Sequence, residues 1–96
     1  MRLYDFNVVL DPGLGFAKTP DQCWQLVRSL SRLKRDLPYP WLVGHSNKRF
    51  VREVGLPPAN YAVAGAAMQA GVAFLRVHDV GGHVQYLQAV EKLRQR

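Results

Sequence analysis

At 96 residues the chain is one domain at most, near the small end for an independent hydrophobic core. An apolar fraction of 48% excludes wholesale disorder, and a single cysteine excludes both an intrachain disulfide and a cysteine zinc site. No apolar stretch approaches the roughly 20 residues of a membrane span, and no leader pattern opens the chain, so a cytoplasmic location is the default expectation.

The net charge of +6 is compatible with nucleic acid, phosphate ligands or a merely soluble surface. The first element is a strand expected from Asp5 to Leu10, with Val8-Val9-Leu10 as its buried end. Pro12 forbids further ladder bonding and Gly13 permits unusual backbone angles, so the strand stops at Asp11 and leaves that carboxylate at its carboxyl end. A compact loop follows, Gly13-Leu14-Gly15-Phe16-Ala17-Lys18. Thr19 is a good N-cap, Pro20 fits the first helical position and Gln22 completes a capping box. The helix is expected from Pro20 to about Leu37, with Cys23, Leu26, Val27, Leu30 and Leu33 on one apolar stripe and Arg28, Arg32 and Arg35 solvated away from it. Cys23 reads as a small buried hydrophobe.

Pro38 and Pro40 end that helix, and Pro40 to Gly44 reads as the second strand. A polar loop, His45-Ser46-Asn47-Lys48-Arg49, leads to a short amphipathic turn over Phe50 to Val54. Ala59 to Ala70 reads as a helix of small residues, buried and close-packed, in which Gly65 costs about 1 kcal/mol of propensity. Val72 to Val77 is the third strand and ends in His78 and Asp79, with Asp79 expected to cap its turn. Gly81-Gly82 are expected to form a turn before a last helix from His83 to about Gln95, with its stripe at Val84, Leu87, Val90 and Leu93.

The order β-α-β-α-β-α, with strands a little over thirty residues apart, predicts parallel strands and right-handed crossovers. Parallel strands place three polar clusters on one sheet edge: Asp11 with Lys18; Ser46, Asn47 and Lys48; Arg76, His78 and Asp79. Alternation sends Arg76 and His78 to one face, and an inward arginine near a strand end calls for an anion. One acid, several cations and a ring suit a polar heterocycle carrying phosphate. Lys18 and Asp79 have ordinary readings as a solvated loop lysine and a turn cap. His45 and His83 lack partners at metal-ligand spacing, so no metal site is assigned. The basic helical faces carry no interleaved aromatics, so nucleic acid is not an expected partner.

Asp11-Pro-Gly-Leu-Gly-Phe-Ala-Lys18, Leu42-Val-Gly-His-Ser-Asn-Lys48-Arg-Phe50 and Arg76-Val-His-Asp79 together resemble the last three signature blocks of dihydropteroate synthase, in order and with nearly the same spacing. The resemblance implies an α/β fold: three parallel βα units from the C-terminal part of a TIM barrel, which takes about 250 residues when complete. That family joins 4-aminobenzoate to a pterin methyl diphosphate in folate biosynthesis, using Mg²⁺. Carried over by motif, Asp11, Lys48 and Arg76 would bind the pterin, Phe16 and Ser46 would line the aminobenzoate side, and Arg76 with His78 would hold the diphosphate. No catalytic residue is assigned.

The chain departs from the family at Asn47, where an arginine is usual, and at Pro57-Pro58-Ala59-Asn60, which stands near an expected Glu-Arg pair. The N-terminal βα units, with the asparagine that serves the Mg²⁺-diphosphate, are not in the chain. It is therefore expected to be inactive alone and to need an N-terminal half-barrel partner, or to self-associate through open strand edges. The alternative is a non-catalytic remnant or ligand-binding fragment.

Overall fold

A computed structural model describes residues 8–95. Among them five helices and two strands follow in the order α1 (Pro20–Arg28), α2 (Leu30–Asp36), β1 (Leu42–Val43), α3 (Arg49–Val54), α4 (Pro58–Ala70), β2 (Phe74–Leu75) and α5 (Val80–Arg94). The strands are parallel, with Leu42 opposite Phe74 and Val43 opposite Leu75. Most of the strand expected from Asp5 lies outside the described residues. Its end is seen as one parallel bridge, Leu10 to Trp41, closed by Leu10 N–H to Pro40 O at 2.9 Å and Leu42 N–H to Leu10 O at 2.8 Å. Val9 is 49% exposed, contrary to the buried strand end expected there.

The strands are shorter than their apolar runs. Ala73 and Phe74 both donate to Trp41 O, and Val72 N–H is taken by Ala67 O at the end of α4, so the regular ladder of β2 begins only at Phe74. Past its end, Arg76 N–H still reaches Val43 O at 2.9 Å.

The capping box forms as expected: Thr19 Oγ1 accepts from Gln22 N–H at 3.2 Å and Gln22 Oε1 accepts from Thr19 N–H at 2.9 Å. The single helix expected to run to Leu37 is broken at Ser29. There the hydroxyl donates to Gln25 O at 2.9 Å, a local bond by which serine competes with the helical ladder. The chain restarts as α2 and ends before Pro38.

Cys23, Val27 and Leu30 from the first two helices meet Val43, Phe50, Val51, Val63 and Ala67 in one buried cluster. Trp24 packs edge-on against Phe50, ring centroids 4.9 Å apart. Helix α4 buries Ala59, Val63, Ala64 and Ala67 and ends at Gly71, which takes the left-handed conformation at φ 81°. Gly65 lets α5 approach: a Cβ there would stand 2.8 Å from the Tyr86 hydroxyl.

Two expectations for α5 are overturned. Gly81 and Gly82 lie inside the helix, which begins one residue after Asp79. Asp79 Oδ1 accepts from Gly82 N–H at 2.9 Å and so caps the helix. A side chain at Gly82 would run into Tyr61 and the Asp79 carboxylate, so only glycine fits beneath that cap. The expected stripe is not buried: Val84 is 46% and Leu93 86% exposed. No further strand or helix covers that face among the described residues.

Phe50 is 1% exposed and joins the helices to β1 through the cluster. Phe50→Ala should lower the free energy of unfolding by about 3–4 kcal/mol, while Arg32→Ala, on a solvated face, should change it by less than about 0.5 kcal/mol. Urea denaturation of the two variants checks this.

Candidate functional site

The parallel register sets the ends of all three rows at one edge, and a loop leaves each. The first is pinned by its own polar groups. Asp11 Oδ1 accepts from Gly13 N–H at 2.7 Å, and Lys18 Nζ donates to the carbonyls of Gly13 at 3.2 Å and Phe16 at 3.3 Å. Gly13, Gly15 and Ala17 all have positive φ, a tight coil that buries Leu14 and leaves Phe16 62% exposed. Lys48 stands over Phe16, its Nζ 5.3 Å from the ring centroid, a cation–π contact. The Lys48 stem crosses Gly15, where a Cβ would lie 3.2 Å from it.

The second loop is held from beneath. Asn47 takes φ 61°, a conformation asparagine tolerates. Its N–H donates to Asn60 Oδ1 at 3.1 Å and its Oδ1 accepts from Asn60 Nδ2 at 3.0 Å. The third loop is tied to the second: His78 N–H donates to Ser46 Oγ at 3.2 Å, and His78 Nδ1 lies 3.0 Å from the same oxygen. The Arg76 guanidinium lies across Gly44, where a Cβ would be 2.6 Å from Nη2. Any other residue at position 44 would displace it.

Of the residues expected in a site, Phe16 thus meets Lys48, Ser46 meets His78, and Arg76 rests on the Gly44 backbone between them. Asp11 shares the edge but bonds within its own turn. Two expectations need correction. Asp11, which a position at the end of a buried strand would partly desolvate, is exposed, its Oδ1 turned back to the Gly13 N–H. Arg76 is exposed rather than inward, because no wall of structure closes over that side of β2 among the described residues.

A polar cluster behind the edge escaped sequence reasoning. His45 and His83 are 0% and 2% exposed, and their Nε2 atoms lie 3.1 Å apart. His83 Nδ1 lies 2.7 Å from Asp79 O, and the Tyr61 hydroxyl donates to Asp79 Oδ2 at 2.6 Å. This bond holds the Asp79 carboxyl below its usual range, helped by Gly82 N–H, and raises the Tyr61 phenol. Burial, then the facing His83, push His45 down to about 4. The usable signal was Asp79 as a helix cap: a helix starting there carries His83 back toward the strand ends.

The family profile described as pterin binding enzyme matches residues 3–78. This chain belongs to the pterin-binding enzyme family. It is 39% identical over 94 residues to the dihydropteroate synthase of Synechocystis, covering 91% of this chain and 32% of that protein. It is 37% identical over 90 residues to the folate synthesis bifunctional protein of Chlamydia muridarum, covering 88% of this chain and 20% of that protein. The crystal structure of Yersinia pestis dihydropteroate synthase superimposes with a TM-score of 0.78 at 37% identity, over 90% of this chain and 37% of the other. This pterin-binding enzyme chain therefore spans about a third of these synthases. No helix among its described residues is long and apolar enough to cross a membrane.

The His45 shift fixes a pH dependence. Its imidazole is neutral when folded and takes a proton more readily when unfolded, so the unfolded state binds more protons between the ordinary value of 6.5 and about 4. Stability should be full above that window and fall through it by an amount on the order of 3 kcal/mol. His45→Met should flatten this limb in denaturant titrations, while any loss linked to Asp79 appears only below its ordinary 3.8.

Proposed function

We propose that this chain forms the pterin-edge and phosphate side of a dihydropteroate synthase-type site, as three βα units from the C-terminal part of a (β/α)₈ barrel. The observation that carries the reading is convergence. One parallel register brings Asp11, the Phe16–Lys48 contact, the Ser46–His78 contact and Arg76 to a single edge. In parallel barrels that edge is where ligands bind.

The reaction is a substitution at the pterin methylene. The amine of 4-aminobenzoate forms the C–N bond and loses a proton, while the C–O bond breaks and diphosphate leaves with the electron pair. Catalysis of this kind rests on positioning and on stabilising the leaving anion. In this reading Arg76 offers a planar donor fork to phosphate oxygens, and His78, held by Ser46, supplies a further donor. Lys48 contacts the pterin beside the aminobenzoate pocket, which Phe16 and Ser46 line. Asp11 keeps Oδ2 for the paired N–H groups of a pterin while Oδ1 serves the Gly13 turn.

The residues present do not make a Mg²⁺ site: no three His, Cys, Asp or Glu side chains gather among those described. We assign the ion to the other part of the barrel and route no step through it. That part amounts to five more βα units, on the same polypeptide or on a partner subunit. Copies of a three-strand piece cannot sum to eight, so self-association would cover the open face without rebuilding the site. The face awaiting the remaining units includes Phe74, Val80 and Val84, which are 51%, 60% and 46% exposed.

Calorimetric titration with inorganic diphosphate tests the reading. Binding should be weak and should weaken further as salt rises. Arg76→Ala should abolish it, and Arg32→Ala on the helix should leave it unchanged. Equal losses from both would mean non-specific charge. In a reconstituted barrel, Asp11→Asn should cut pterin affinity roughly ten- to a hundredfold; unchanged affinity would leave Asp11 as a turn cap only.

A further inference from the structure

We propose that His45 and His83 form a buried imidazole pair that positions the Lys48 loop against the Arg76–His78 loop, so that anion affinity at the strand ends depends on the bond between the two rings. The inference rests on the anion-site reading above and assigns to that site two positioning residues with no ligand contact of their own.

The tautomers follow from the partners. A carbonyl only accepts, so His83 Nδ1, 2.7 Å from Asp79 O, carries a proton. In the neutral ring Nε2 is then a lone pair, and His45 Nε2, 3.1 Å away, must donate to it. His45 Nδ1 is left bare, and it is the one buried side-chain nitrogen or oxygen among the described residues without a partner. The pair is built to be neutral, in agreement with the depressed His45 value.

The groups around the pair come from the elements packed on it, and β1 and α4 bring the backbone of Val43 and Asn60 against His45. Helix α4 contributes Tyr61, its ring edge-on to His83 at 5.1 Å. Tyr86 of α5 stacks on Tyr61 at 5.4 Å. The third loop contributes the Asp79 cap, with His78 on Ser46 and Arg76 across Gly44. A proton added to His45 goes to Nδ1, where the backbone of Asn60 and Val43 favours it less than burial and the facing His83 oppose it.

The placement makes the pair more than core filling. His45 sits three residues before Lys48 and immediately after Gly44, the seat of Arg76. His83 lies one helical turn past Asp79, which follows His78 directly. The second loop is tied to the third by the part-buried contacts of His78 with Ser46 Oγ, and to the first turn of α5 by this bond between the rings. Hydrogen bonds that orient ligating groups without touching the ligand tune affinity about ten- to a hundredfold in metal sites, and the lower end of that range is the effect expected of this pair.

The test uses the full chain and inorganic diphosphate at neutral pH. His45→Leu, which fills the space without the donor, should lower affinity about tenfold. The slope of affinity against salt should not change, because no cation has been removed. His45→Gln, whose amide N–H can donate to His83 Nε2, should restore affinity to within about twofold of the parent. Unchanged binding by His45→Leu, or failure of His45→Gln to recover it, overturns the proposal. A parent chain that binds no diphosphate removes the anion-site reading itself, and the proposal with it. Should His45→Leu not fold, ¹⁵N imidazole spectra of the parent decide: His83 protonated at Nδ1 and His45 at Nε2 support the pair, and both rings protonated at Nε2 overturn it.

Discussion

Everything placed at the strand-end edge depends on the parallel register that runs from Leu10 through Trp41 and Leu42 to Phe74. A one-residue slip in either pairing would send alternate side chains to the opposite face and separate Ser46 from His78 and Arg76 from its seat on Gly44. The register itself is cheap in ladder bonds, since the strands are two residues long. It is held instead by the helices packed on one side. Phe50 and Val51 wedge α3 against β1, and Val63 and Ala67 of α4 lie beneath. The fold thus invests its burial in positioning three loops rather than in a long sheet.

Much of this could be read from residue types. Thr19-Pro20 with Gln22 announced a helix start, Pro12 and Gly13 a strand end, and Pro38 a helix stop, because each acts through local geometry. The polar clusters around Asp11, Ser46–Lys48 and Arg76–His78 were legible as a set because parallel strands carry them to one edge, and the family blocks because their motifs resemble those of dihydropteroate synthase. What was not legible depends on contacts distant in sequence. Ser29 breaks the first helix through a bond available to any helical serine, and nothing in its neighbours says it will form. Gly81-Gly82 resemble a turn, yet the Asp79 cap and the packing of Tyr61 draw them into α5. The stripe of α5 has helical periodicity and is still only half covered, with Val84 and Leu93 exposed, since periodicity shows which residues share a face but not whether anything covers it.

Asn47 has a local role. It takes a left-handed conformation and makes a two-bond exchange with Asn60, which ties the loop to the first turn of α4. His45 and His83 add a second tie, to the first turn of α5. Both sets of contacts restrain the backbone next to Lys48 and His78, the kind of restraint that lowers the ordering cost of binding.

The proposal that the three loops at the strand ends form one binding edge is tested most directly by mapping. In ¹⁵N–¹H spectra of the full chain titrated with diphosphate and a reduced pterin, shifts should concentrate in residues 11–18, 44–48 and 76–79. Shifts spread instead over the basic face of α1 and α2, around Arg28, Arg32 and Arg35, with those three loops silent, would contradict it.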